Sequence, residues 1–318
     1  MLCRILFIYL QCNAVWASVR ERWHYYIPQC YVPGPQPIIP REWGQEWSSC
    51  NGPVQSPVLL LPHKSVGISV PELHFRLFSS PIANPVVINT GRTVRLKSSM
   101  PKPLVTGSIL TEEYIFEQAE FHWGKDDHAG SEHIIDGMSY AMEAELLFRI
   151  RNPSARVDCK ICPPAYVGFS THFKTSRRRN PHLDPLIGAL SSVPYAHDAY
   201  QLVMPLRLNA FIPNDTSEYY LYEGSRTVPP CSENVLWFVF RKPISISKEQ
   251  MKPFRRLYAF EKDIECNQHL VSNMRPLQEI GKSRVLYRTF TNSASRPLSF
   301  CIYCVTLGLS LVTTLSTI

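Results

Sequence analysis

The chain has 318 residues, 45% hydrophobic and 19% charged, with a formal net charge of +7, a balance normal for a globular protein and sufficient for a sizeable core. That charge is mild and no basic-plus-aromatic pattern accompanies it, which argues against a nucleic-acid partner. The 27 prolines exceed the usual ~5% and favour loops and short strands over long helices.

Met1–Ala17 carries one early arginine, an apolar run Ile5–Leu10, and Val15 and Ala17 at its end. It reads as a signal peptide over residues 1–17, with a buried amino-terminal strand as the alternative. Residues 18–42, with Pro28, Pro33, Pro35, Pro37 and Pro40, read as an extended leader outside the core. From Trp43 the pattern becomes short strands and turns. Pro71–Phe78 alternates, and Pro85–Asn89 runs into a turn at Asn89-Thr-Gly91 before Thr93-Val-Arg-Leu.

Strands are expected over Tyr114–Trp123 and Tyr140–Ile150. Glu120 and His122 lie two apart on the first, Glu143 and Glu145 two apart on the second. Side chains alternate faces along a strand, so each pair shares a side, and together they aim one histidine and up to three carboxylates at one cavity. That is metal-site geometry with an unusual donor set. Arg177–Arg179 reads as a solvated loop, with a heparin-like contact or a processing site as the alternative, and Asn214-Asp-Thr as a glycosylation acceptor on a surface loop. The unbroken apolar run Val235–Phe240 predicts a buried strand. A helix follows over Ser247–Leu257, with Ser247 as N-cap, Glu249 in the first turn and Pro253 as a potential kink.

Residues 289–318 end in an uncharged stretch, Leu298–Ile318, long enough to span a bilayer but with no basic flank after it. Replacement by a lipid anchor, with Asn292, Ser293 and Ala294 upstream, is the favoured reading, although the spacer is short. Four of the ten cysteines fall in these end segments. Cys30, Cys50, Cys159, Cys162, Cys231 and Cys266 remain, an even number suited to disulfides in an oxidising compartment. Spacing does not pair them, and Cys159-Lys-Ile-Cys162 also has redox or zinc spacing.

Several short segments then fall into a recognisable order: Trp43-Gly44, Gln55-Ser56-Pro57, Asn89-Thr-Gly91, Phe121-His122-Trp123-Gly124, Gly130-Ser131-Glu132-His133, Tyr222-Glu-Gly-Ser225, Thr227-Val-Pro-Pro-Cys231, Pro243-Ile-Ser-Ile-Ser247 and Asn273-Met-Arg275-Pro276. In this the chain resembles the α-carbonic anhydrase family across residues 43–288. The resemblance implies a mostly β single domain: a large, twisted, mainly antiparallel sheet of about ten strands, with a few short peripheral helices. It also implies a Cys50–Cys231 disulfide and a strand near Tyr166–Phe173.

The family holds zinc with three neutral imidazoles and leaves a fourth position for water. At the matching positions this chain has Glu120, His122 and Glu145, so only one histidine remains, and no cofactor is expected. Two carboxylates would weaken the cation's pull on bound water and raise its pKa. The resemblance further implies that Gln118 and Glu143 orient metal histidines, and that Glu132 and Thr227 form the carboxylate–hydroxyl pair that positions the zinc-bound hydroxide. Arg92 stands at the proton-shuttle position, Arg226 where a leucine lines the substrate pocket, and Val228 where threonine is usual. An arginine relays no proton near neutral pH. Arg226 is expected to reach inward and neutralise at least one of Glu120 and Glu145. Asn89-Thr-Gly-Arg92 and Asp198-Ala-Tyr200 resemble the secreted, non-catalytic branch.

These features predict an inactive carbonic anhydrase homologue, secreted or at the cell surface, that binds an extracellular protein and attaches to the membrane through its tail. The rivals are a weak metal-dependent hydratase or esterase using Glu120, His122 and Glu145, and a structural spacer.

Overall fold

In the computed structural model the described residues are 23–289, apart from 158, 160, 161 and 282. The expected signal peptide and apolar tail lie outside them. Among the described residues no helix is long and apolar enough to cross a membrane.

Among the described residues the chain forms fifteen strands, most of them short. The first six are β1 (Leu59–Leu60), β2 (Val66–Ile68), β3 (Leu73–Arg76), β4 (Val86–Asn89), β5 (Val94–Lys97) and β6 (Leu104–Gly107). The long β7 (Leu110–Trp123), β8 (Ile134–Ile135), β9 (Met142–Ile150) and β10 (Tyr166–Ser176) follow. The remainder are β11 (Ala199–Gln201), β12 (Tyr219–Gly224), β13 (Val235–Phe240), β14 (Ile244–Ser247) and β15 (Leu286–Arg288).

Among the described residues thirteen strands form one mixed sheet. Its main path runs β11-β4-β5-β7-β9-β10-β13-β12-β15-β2, with β3, β6 and β14 attached at its side. Most neighbours are antiparallel, while β10–β13, β10–β14 and β15–β2 are parallel. The ten-strand expectation thus matches the main path, and the short flanking strands enlarge the sheet.

Period-two burial explains how the sheet presents a site. On β7, Phe116, Ala119 and Phe121 join the larger apolar core with Ala144, Leu146 and Phe148 of β9. Gln118, Glu120 and His122 take the other face, and a register shift between Phe116 and Gln118 sets the change of phase. The strand around Tyr166 runs to Ser176, longer than expected, because Val167–Phe173 is buried between β9 and β13. Its polar Ser170, Thr171 and His172 are core residues. Within β10, Gly168 is required by close packing: a Cβ there would lie 2.5 Å from the Trp237 ring.

The carboxy-terminal helix spans Lys248–Arg255, closed by a capping box between Ser247 and Gln250. Pro253 sits inside it, and the helix stops two residues short of the expected Leu257.

The leader departs from expectation. Its prolines suggested a solvent-facing segment, yet Trp23, His24 and Tyr25 are buried. Trp23 and Tyr25 pack edge-on against Trp43 at 5.1 and 5.9 Å between ring centroids. Among the described residues three disulfides join Cys30–Cys266, Cys50–Cys231 and Cys159–Cys162, and the first ties the leader to the loop before Leu270. Large aromatic side chains therefore dominate the proline signal here.

Candidate functional site

Strand register brings the central residues together. Arg95 of β5 pairs with Glu120 of β7, Glu120 with Glu145 of β9, and Glu145 with Ser170 of β10. Two residues along β7, His122 faces Glu143, which faces His172. Directly opposed carboxylates at 120 and 145 repel unless something compensates them.

Arginines do so for Glu120. Arg95 donates through Nε (2.9 Å) and Nη2 (2.7 Å) to Oε1, and Arg226 Nη2 donates to Oε2 at 3.1 Å. Burial pushes the Glu120 pKa up, but these two guanidiniums outweigh it and hold the carboxyl at about 2. Glu120 is therefore a buried carboxylate whose two oxygens are both engaged.

Glu145 has a different partner. Thr227 Oγ1 donates to Glu145 Oε2 at 3.0 Å. This corrects the expected Glu132–Thr227 pair, since a hydroxyl has one proton to give and Glu145 receives it. Glu132 instead accepts from the Arg275 amide at 2.7 Å, with Oε1 3.3 Å from His122 Nδ1.

His122 is fully buried, with Nδ1 2.8 Å from the Asn273 carbonyl oxygen and Nε2 3.7 Å from Glu145 Oε2. Burial disfavours its charge, but Glu132 and Glu145 raise its pKa to about 10. Burial and the neighbouring Glu145 and Glu143 push Glu132 well above the carboxylate range, against the pull of His122.

Glu143 serves the interior rather than His122. Its oxygens accept from the amides of Glu132 and His133 (both 2.8 Å), from His133 Nδ1 (2.6 Å) and from Ser170 Oγ (2.6 Å). Burial opposes its ionisation, but nearby His133 and His172 and these bonds depress its pKa. His133 Nε2 continues to the Tyr222 hydroxyl at 2.6 Å, and that hydroxyl to Ser56 Oγ at 2.8 Å. Gln118 is buried on the same β7 face.

Arg92 turns to the leader: Nε donates to the Trp23 carbonyl at 2.8 Å, and the guanidinium stacks 4.6 Å from the Trp23 ring centroid. Val228 packs with Trp23, Tyr25, Trp43 and the Cys50–Cys231 pair. Asn214 is exposed. Sequence reading did not anticipate Arg95, Ser170, His172 or Tyr25 at this centre. The alternation of Thr93-Val-Arg-Leu carried a trace of Arg95, whereas Tyr25 had no local signal.

The three-imidazole zinc site does not fit these residues. Of the three positions where the family has imidazoles only that of His122 keeps one, and both oxygens of Glu120 are held by guanidiniums. A different grouping is compact: one ligating atom each from His122, Glu132 and Glu145 lie within 4.8 Å of one another, all buried. Glu120 is not among them. The Tyr25 ring lies edge-on to His122 at 6.3 Å between centroids.

Sheet order and centre together define a carbonic anhydrase scaffold in which one of the three metal-ligand positions on β7 and β9 keeps its imidazole and the other two carry carboxylates. Residues 39–289 match the eukaryotic-type carbonic anhydrase family, and the chain belongs to it. Mouse carbonic anhydrase 7 is 31% identical over 255 residues, covering 79% of this chain and 94% of that protein. The human carbonic anhydrase-related protein is 30% identical over 268 residues, covering 78% and 90%. Rat receptor-type tyrosine-protein phosphatase zeta is 27% identical over 259 residues, 79% of this chain but 11% of that protein.

Proposed function

We propose that this chain is a carbonic anhydrase-related protein without carbon dioxide hydratase turnover, acting outside the cell as a binding module for another protein. One observation carries the reading: Glu120, at a position where the family uses a zinc histidine, is engaged on both oxygens by Arg95 and Arg226. A guanidinium there places positive charge and bulk in the region that substrate would cross. Thr227, bonded to Glu145, no longer directs its proton to Glu132. Similarity to a carbonic anhydrase-related protein and to one segment of a receptor phosphatase agrees with a recognition role. Disulfides, the exposed acceptor Asn214 and the apolar tail favour the cell exterior.

The deciding experiment assays carbon dioxide hydration and ester hydrolysis by the purified chain with added zinc. The expected rate equals that of buffer containing zinc alone. Turnover abolished by Glu120→Gln would instead support the rival enzyme built on Glu120, His122 and Glu145. Capture of a cell-surface protein by the zinc-supplemented chain tests the binding role, and no specific partner would favour the spacer.

A further inference from the structure

We propose that a cavity on the back of the sheet, behind β12, β13 and β15, binds a small primary ammonium compound with an apolar body. The site is separate from Glu120 and His122, and the proposal does not depend on the functional reading.

The cavity has a volume of about 290 Å³, at the lower end for small-molecule sites. Leu221, Leu236 and Leu286 form its apolar wall. All three belong to the larger core, on the sheet face away from Glu120 and His122. Glu223 lies two residues beyond Leu221 on β12 and pairs with Leu236, and Asn234 stands two residues before Leu236. Side-chain alternation therefore brings Glu223 and Asn234 to the same face as those leucines, and both line the cavity. Asn234 Oδ1 is buried and has no hydrogen-bonding partner among the described residues. A buried acceptor left unmatched is costly, so a ligand that supplies the donor is favoured. The Glu223 carboxyl has no ion pair or hydrogen bond with a described residue, and burial alone raises its pKa above the usual carboxylate range. Its charge stands unneutralised in surroundings that disfavour it.

An ammonium group matches both features. It carries one positive charge and three N–H donors, enough to neutralise Glu223 and serve Asn234 Oδ1 together. The leucines then cover the hydrocarbon part and remove it from water. Arg156 and Arg284 also border the cavity, but both are exposed, and Arg156 already donates to the Pro163 carbonyl. Glu233, the other acid on the wall, is occupied by the Val54 amide at 2.6 Å and Gln55 Nε2 at 2.8 Å. The groups left unmatched inside are thus acceptors, which selects an ammonium over a carboxylate.

The test titrates the purified full chain with n-hexylamine in an isothermal calorimeter, alongside n-hexanol and hexanoate. Saturable binding of one hexylamine per chain is expected, with the alcohol and the carboxylate weaker. Glu223→Gln and Asn234→Leu should each weaken hexylamine about tenfold, the loss of one hydrogen bond to a charged group. Glu223→Lys should abolish binding, whereas Glu249→Gln, at an exposed helical carboxylate, should leave it unchanged. Glu223 is exposed along its strand, so its variants carry the test where Asn234→Leu does not fold. No saturable hexylamine binding would overturn the site. So would hexanoate binding as tightly as hexylamine, or an affinity that Glu223→Gln does not change.

Discussion

Arg226 places Nη2 3.1 Å from Glu120 Oε2, on the opposite oxygen from the one held by Arg95. One carboxylate thus accepts from two cations, one on each oxygen. Glu120→Gln should remove the negative charge that both guanidiniums share at this point. Loss of one partner of a buried pair costs about 3–5 kcal/mol. The Arg95 and Arg226 side chains are 31% and 23% exposed, so solvent screening lowers the expected cost to about 2 kcal/mol. Arg226→Leu should cost less, because Arg95 still holds Glu120. The double variant should be more stable than the sum of the single losses implies. Urea denaturation of all four proteins measures this; strict additivity would show that the Arg226 contact contributes nothing.

His24 predicts an acid-side loss of stability. Its Nδ1 accepts the Tyr25 amide at 3.0 Å and its Nε2 lies 3.1 Å from the Gly91 carbonyl oxygen, an arrangement met by the neutral tautomer protonated on Nε2. Burial, reinforced by the Arg92 charge, lowers its pKa from 6.5 to about 4, against the bond to Gly91. A folded pKa below the unfolded one means the unfolded chain takes up the proton first. The stabilisation is therefore complete above pH 6.5 and declines as pH falls towards 4. Its full size is on the order of 3 kcal/mol. In His24→Gln, stability should fall less steeply across that window, and parallel curves for the two proteins would refute the assignment.

How much of this was readable from the chain depends on how far apart the interacting residues are. Val235–Phe240 became a strand with those bounds because a fully buried strand is apolar at every position. The paired spacing at Glu120/His122 and Glu143/Glu145 was readable because strand alternation is local. Arg95 was not, because its meeting with Glu120 depends on the β5–β7 register, a contact across 25 residues. Tyr25 and the polar segment Ser170–His172 were misleading for the opposite reason. Prolines around Tyr25 and hydroxyls in β10 suggest exposure, and only the assembled fold shows a core that accepts them. Thr227 was legible from its motif, but its partner was not, because its hydroxyl donates to Glu145 on β9 rather than to Glu132.

Cys50–Cys231 closes a loop with a sequence separation of 181 residues. Cross-linking so long a loop restricts the unfolded chain, with a typical stabilisation of about 2–4 kcal/mol and an upper limit near 5. Both sulfurs also lie in the apolar cluster with Trp23, Tyr25, Trp43 and Val228. Cys50→Ala with Cys231→Ala should lower stability by roughly 3 kcal/mol and increase protease cleavage near Trp23. Unchanged cleavage with lowered stability would separate the loop effect from leader docking.

Gly168 gives the sharpest packing test. It pairs with Trp237 across β10 and β13, and a Cβ would lie 2.5, 2.6 and 2.9 Å from three atoms of that ring. Trp237 cannot retreat freely: it is buried, its Nε1 donates to the Ser225 carbonyl at 2.9 Å, and its ring packs against His133. Gly168→Ala must therefore displace the indole or the strand. Overpacking of this kind costs about 1–3 kcal/mol, more than the small gain in strand preference over glycine. The indole also abuts the turn that carries Arg226 and Thr227, so its shift should alter near-ultraviolet circular dichroism and tryptophan emission as well as stability. A variant as stable as the parent with unchanged spectra would show that β10 accommodates the methyl group and that Trp237 does not fix this wall of the cleft.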